Sequence, residues 1–215
     1  MCGRYMLYYE KDVIIDAFNL VNEFDYDQRF NIAPSQKVLS VIKASTGNRA
    51  GYMKWGLVPS WAKDPKIGSK LMNARSETVS EKPSFKDSFL QKRCLIPASG
   101  FYEWILEDGS AKKQPLQFTL KDKKPFAFAG IWSRWKGDIN GQPEERITCS
   151  ILTKASNSSM GKYHHRMPVM LEPDVGERWL DSSAGKDKLL LILQENNPEL
   201  FAEQVTLDLN VHRTN

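Results

Sequence analysis

Short apolar runs separated by turn-forming residues recur along the chain far more often than apolar residues at helical spacing. Val38–Ala44, Gly51–Val58, Pro115–Leu120, Pro125–Trp132 and Arg146–Thr153 mix β-branched and aromatic residues, the composition of strands. They are bounded by turn formers such as Thr46-Gly47-Asn48, Asp108-Gly109 and Asn140-Gly141. Asn140-Gly141 between two such runs predicts a β-hairpin. Leu95-Ile96 reads as a further buried strand, which the Pro97 and Gly100 positions turn into the next one. Helical patterning is confined to Lys11–Leu20, Asp174–Leu180, Lys186–Gln194 and, more weakly, Lys82–Leu90. The chain holds no internal repeat and no Gly/Ser-rich linker. Strands outnumber helices and do not alternate with them. The expected fold class is therefore α+β: one domain over residues 1–215, mostly antiparallel sheet, open or barrel-like, with a few flanking helices.

Composition narrows the function classes. With 215 residues, 41% of them hydrophobic, the chain is long enough for a real core. A mean hydropathy of −0.48 and ordinary Gly and Pro counts exclude fibrous and wholly disordered classes. No apolar run approaches the roughly 20 residues of a membrane span, and polar residues follow Met1–Tyr5 at once, unlike a signal peptide. A cytoplasmic, nucleoid-associated location is expected. Cys2, Cys94 and Cys149 lie far apart without a CxxC pair, which argues against a disulfide scaffold and a structural zinc site.

Charge is unevenly spread. Between Trp61 and Arg93 eight cations face four acids, whereas from Glu172 to Glu203 eight acids face three cations. Such a basic stretch is either a positive face for a polyanion or an ordinary solvated face.

Four places carry candidate chemistry. Cys2 would acquire a free α-amine on removal of Met1, placing an amine (pKa about 7.7–8.0) and a thiol (about 8.5) on adjacent carbons. That 1,2-aminothiol can attack an amide, or condense with an aldehyde to a five-membered thiazolidine. Asn73-Ala74-Arg75-Ser76-Glu77 follows Trp55-Gly56-Leu57-Val58-Pro59-Ser60-Trp61. Trp55 reads as core packing, and Trp61 as a candidate for stacking on a base. Arg75 could pair a phosphate, or form a salt bridge with Glu77 or another acid. Glu103 interrupts the apolar run Phe101–Ile105. It lies either at a sheet edge or buried for proton transfer. His164-His165 are two of three histidines in the chain. On an extended segment one ring would face a site and the other solvent. No matching Cys/His cluster completes a metal site, so a single acid/base His is the sharper reading.

Six blocks occur in order: Met1-Cys2-Gly3-Arg4, Asn31-Ile32-Ala33-Pro34, Trp55–Trp61, Asn73–Glu77, Arg93–Pro97 with Gly100–Trp104, and His164–Pro168. As an ordered set covering nearly the whole chain, they closely resemble the SOS response-associated peptidase (SRAP) family. The resemblance implies a protein that shields abasic sites in single-stranded DNA by covalent crosslinking, with associated lyase activity and self-removal of Met1. It implies that Cys2 captures the open-ring aldehyde, Asn73 orients Cys2 and the DNA, Glu103 assists ring opening, and His164 assists imine chemistry and reversal. Arg4, Trp61 and Arg75 are implied as DNA contacts. No cofactor or metal is expected, and a monomer suffices. Val205–Asn210 resembles the family's closing strand, and with the chain ending at Asn215 no tail-dependent partner is expected. Three other readings compete: an N-terminal-nucleophile glutamine amidotransferase, a thiol peptidase and a non-covalent single-stranded DNA-binding module.

Overall fold

The computed structural model describes residues 2–106, 113–195 and 198–206. The Asp108-Gly109 turn and residues 207–210 of the expected closing strand lie outside them. The first half of the chain runs β1 (Tyr5–Leu7), α1 (Lys11–Ala17), β2 (Arg29–Ile32), β3 (Lys37–Ala44), β4 (Gly47–Trp55), β5 (Asn73–Arg75), α2 (Lys86–Gln91), β6 (Arg93–Ala98) and β7 (Gly100–Leu106). The second half adds β8 (Lys113–Leu120), β9 (Phe126–Ile139), β10 (Gln142–Ala155), α3 (Ser158–Gly161), β11 (Arg166–Pro168), β12 (Met170–Leu171), α4 (Pro173–Leu180), α5 (Lys186–Glu195) and β13 (Leu200–Gln204).

Two sheets share one core. The smaller is ordered β13-β8-β7-β1-β2. In the larger, β9 pairs with both β6 and β10, while β6, β3, β4 and β10 are joined in turn. These five strands close into a ring, which removes the unpaired edges an open sheet would expose. All ladders are antiparallel except β10 with β4 and β10 with β5. A single hydrophobic cluster runs from Cys2 and Tyr5 of the smaller sheet through Phe101 and Phe118 to Phe128 and Ile151 of the ring. The α+β, mostly antiparallel, barrel-like architecture matches the sequence expectation.

Boundaries differ for identifiable reasons. The β9–β10 hairpin turns at Asn140 (φ 55°) and Gly141 (φ 79°), the two positive φ values a two-residue type I′ connection needs. Both strands extend well past their apolar runs. Their polar distal halves are joined by ion pairs from Glu145 to Arg134 (3.1 Å) and Lys136 (3.3 Å), cross-strand contacts that hydrophobicity does not signal. β4 stops at Trp55 because Gly56 adopts φ 133° against the backbone of Gly68. Leu57 and Val58, expected in that strand, leave it, and Val58 packs with Ala62 and Trp135. α1 ends before Leu20, with Asn19 at φ 50°. The Lys82–Leu90 pattern gives only α2, since Pro83 precedes it.

The strands most relevant to chemistry are short. β1, only three residues, is held between β7 (Tyr5 opposite Phe101) and β2 (Tyr5 opposite Ile32). β5 and β11 flank opposite edges of β10 near its C-terminal end, pairing with residues 151–153 and 153–155.

Candidate active site around Cys2

Cys2 directly precedes β1 and is wholly buried. Its carbonyl accepts a hydrogen bond from Asn73 Nδ2 at 2.9 Å, and its Sγ lies 4.0 Å from the Arg4 carbonyl. Arg4 in turn donates from Nη1 to Asn31 Oδ1 at 3.0 Å, while its carbonyl accepts the Tyr102 N–H at 2.9 Å. The N-terminal segment is thus tied to three elements: β2 through Asn31, β7 through Tyr102, and β5 through Asn73. Asn73 is placed by the parallel pairing of β5 with β10, opposite Ile151. Its Oδ1 is buried and accepts no hydrogen bond among the described residues.

Glu103 sits on β7 one residue beyond Tyr102 and is 7% exposed. Of the two alternatives in sequence, the buried one holds. Burial, followed by the nearby Glu103 carboxylate, pushes the Cys2 thiol well above its ordinary value. Both effects disfavour the thiolate while Met1 is attached. The Tyr5 hydroxyl is also fully buried, and burial followed by the neighbouring Cys149 raises it well above the usual phenol range. Its ring meets Trp55 and Phe128 edge-on, at 5.5 Å each.

His164 lies in the loop between α3 and β11. Its Nδ1 is 2.9 Å from the N–H and 3.0 Å from the carbonyl of Arg166. Tyr163 anchors the loop by packing edge-on against Phe118 of β8, which stacks on Phe101 of β7. The His164 loop therefore rests on β8, the strand paired with the one that carries Glu103. The expectation that the two histidines point to opposite sides is corrected. Their rings stack at 4.5 Å, because the pair precedes β11 and lacks a strand's alternation. His164 is half-buried and His165 exposed.

The remaining candidates are distributed differently. Trp55 is core, with Nε1 donating to the Met72 carbonyl at 2.8 Å. Trp61 is 56% exposed and touches the Pro83 carbonyl through Nε1 at 3.4 Å. No hydrogen bond joins it to Cys2, Asn73 or Glu103 among the described residues. Arg75 is exposed on β5 and makes no ion pair among the described residues. Glu77, its candidate salt-bridge partner, instead grips Arg166 with both carboxylate oxygens. Burial opposes ionisation of Glu77, but the Arg166 hydrogen bond and charge prevail and hold its carboxyl below the ordinary range.

Arg93 does not contribute to a basic face. It is buried, and its guanidinium donates to carbonyls of Phe89, Leu90, Trp179 and Asp181. Six of the other cations, Lys63, Lys66, Lys70, Arg75, Lys82 and Lys86, are exposed. Arg166 and Glu77 both stand inside the recognised blocks, but no local pattern in the sequence signals their pairing. Among the described residues no group of three His, Cys, Asp or Glu side chains could hold a metal ion. No described helix is long and apolar enough to cross a membrane.

The family model for SOS response associated peptidase (SRAP) matches residues 1–211. The chain belongs to the SRAP family. Over 220 residues it is 42% identical to the abasic site processing protein YoqW of Bacillus subtilis, covering all of this chain and 96% of that protein. The abasic site processing protein YedK of Escherichia coli is 29% identical over 84% of this chain and 79% of its own. Among solved structures, a Bacteroides thetaiotaomicron protein superposes with a TM-score of 0.84 at 26% identity. That match covers 96% of this SRAP chain and 93% of the other.

Proposed function

We propose that the chain processes abasic sites in single-stranded DNA, capturing the open-ring aldehyde covalently at Cys2 after loss of Met1. The observation that carries this reading is the set of groups gathered at the N-terminus: Asn73 on the Cys2 carbonyl, and Glu103 buried on β7, the strand that pairs with β1. Full-length relatives named abasic site processing proteins support the substrate class.

An amine condensing with an aldehyde gives the imine on which a thiol can close, so the Cys2 α-amine attacks the C1′ aldehyde first. Loss of one water gives an imine. The thiol then adds across the C=N bond, sulfur to C1′ and its proton, by way of Glu103, to nitrogen, closing a thiazolidine. No electrons are exchanged with an outside agent. Glu103 also acts as the acid that promotes opening of the sugar hemiacetal, and His164 moves protons in imine formation and reversal. An uncyclised imine would permit β-elimination of the strand, the associated lyase activity; ring closure suppresses it. Asn73 fixes the Cys2 backbone so that amine and thiol share one approach. Arg4, Arg75 and Trp61 hold phosphate and base, giving salt-dependent binding with little sequence preference. The protein acts as a monomer, and loss of Met1 is a single self-processing event rather than general peptidase activity.

The test is denaturing electrophoresis of the purified protein mixed with a single-stranded oligonucleotide carrying one abasic site, with intact-mass analysis. A heat-stable adduct formed without reductant, with the mass on a Met-less Cys2, is the expected result. Confirmed Met1 loss without any adduct would exclude covalent capture and leave non-covalent binding.

A further inference from the structure

The Glu77–Arg166 pair joins the two segments that carry Asn73 and His164, and it does so across β10. Arg166 begins β11 opposite Ala155, while Glu77 follows β5, whose Arg75 stands opposite Thr153. From β11 the Arg166 guanidinium reaches over the strand. Nη2 donates to the Thr153 carbonyl at 2.7 Å and to Glu77 at 3.0 Å, and Nη1 donates to the other Glu77 oxygen. Glu77 also accepts the Ala155 N–H at 3.2 Å. Arg166 is 9% exposed, so its orientation is set by these partners rather than by solvent.

The backbone of the same residue brackets the His164 ring. One nitrogen, Nδ1, stands within hydrogen-bond distance of both a donor, the Arg166 N–H, and an acceptor, the Arg166 carbonyl. When Nδ1 carries no proton it accepts from the N–H; when protonated it donates to the carbonyl. Either state is satisfied without turning the ring.

We propose that Glu77 and Arg166 are positioning residues for His164: the side-chain pair locks the Arg166 peptide groups, which hold the imidazole in place through both protonation states. This rests on His164 being the proton-transfer residue of the reaction proposed above. Glu77 acts two steps removed. It holds the guanidinium, the guanidinium fixes residue 166, and residue 166 fixes the ring.

The test uses full-length Glu77→Ala and Glu77→Asp with two readouts. The first is the imidazole 15N spectrum, assigned with His165→Gln and His212→Gln, at a pH where the ring is neutral. Wild type is expected to show His164 nitrogen shifts well separated from those of a free imidazole, as both Arg166 backbone groups lie at Nδ1. Glu77→Ala should give averaged nitrogen shifts, and Glu77→Asp should restore most of the wild-type signature. The second is single-turnover capture of abasic single-stranded DNA, measured beside equilibrium binding of the same strand carrying a tetrahydrofuran analogue. A capture rate at least tenfold slower, with affinity changed less than twofold and rescue by Glu77→Asp, supports positioning. An unchanged His164 spectrum in folded Glu77→Ala overturns it. If wild type forms no adduct while the spectrum still depends on Glu77, the capture reading fails and the positioning device stands.

Discussion

Cys2 and Cys94 are both completely buried, and both thiols are pushed well above their ordinary range by burial first. Their surroundings differ. Cys94 lies inside the strand ring, where its sulfur is so close to Gly130 that a Cβ there would come within 2.7 Å of it. Beyond Cys149 no charged group bears on its titration. Cys2 is flanked by a carboxylate on β7 and an amide on β5. Burial alone therefore says nothing about reactivity. The ring strands bury polar side chains as well, among them Arg93, Thr148 and Ser150, at a cost of about 1–3 kcal/mol for each left unsatisfied. What separates the two cysteines is therefore the group set directly beside each sulfur.

That contrast can be attacked directly. The largest expected effect is on Cys2→Ala, which should abolish the heat-stable adduct, by at least about 10³-fold, while binding of abasic single-stranded DNA persists. Adduct formation by this variant would place the chemistry elsewhere. Glu103→Gln keeps the shape of the side chain and removes its proton-transfer capacity. Capture should slow by about 10–100-fold in single-turnover assays, and a wild-type rate would strip Glu103 of its role.

A shared property of the thiols sets the alkaline limit. Cys149 is pushed up to about 12 by burial, and Cys2 and Cys94 are raised as well. The folded state keeps protons that the unfolded chain releases near pH 8.5–9. Their stabilisation is therefore complete below about pH 8.5 and lost as the pH rises from there through the folded values. Denaturant melts at pH 7 and pH 10 should differ by about 2 kcal/mol or more, with the lower stability at pH 10. Equal stabilities would contradict the buried, protonated thiols. The smallest effect is expected for Cys94→Ala: about 1–2 kcal/mol lost to a small cavity, with adduct yield unchanged.

Much of the ring was legible in the chain. The β3, β8 and β9 runs, the Asn140-Gly141 turn and the α4 and α5 patterns all follow from periodicity and turn chemistry. The polar halves of β9 and β10 were not legible, because their pairing rests on cross-strand charges. Nor were β1, β5, β11 and β12, each of two or three residues and too short to show a period. Those short strands are the ones that place Cys2, Asn73 and His164. Local pattern therefore flagged residue types, and only the ordered blocks joined them. Arg75 illustrates the gap: proximity in sequence suggested Glu77 as its partner, yet strand pairing brings Arg166 from 89 residues away.

The seating of β1 also governs when the protein can become active. Cys2 is among the first residues synthesised, but the Asn73 that grips it comes 71 residues later, and Glu103 and His164 later still. At about 5–20 residues per second, roughly 10–30 s separate the emergence of the nucleophile from that of its last partner. For that interval Cys2 of a nascent chain has neither Glu103 nor the orienting Asn73 amide beside it. On the proposed mechanism the assembled site exists only once translation is nearly finished, a timing built into the order of the strands.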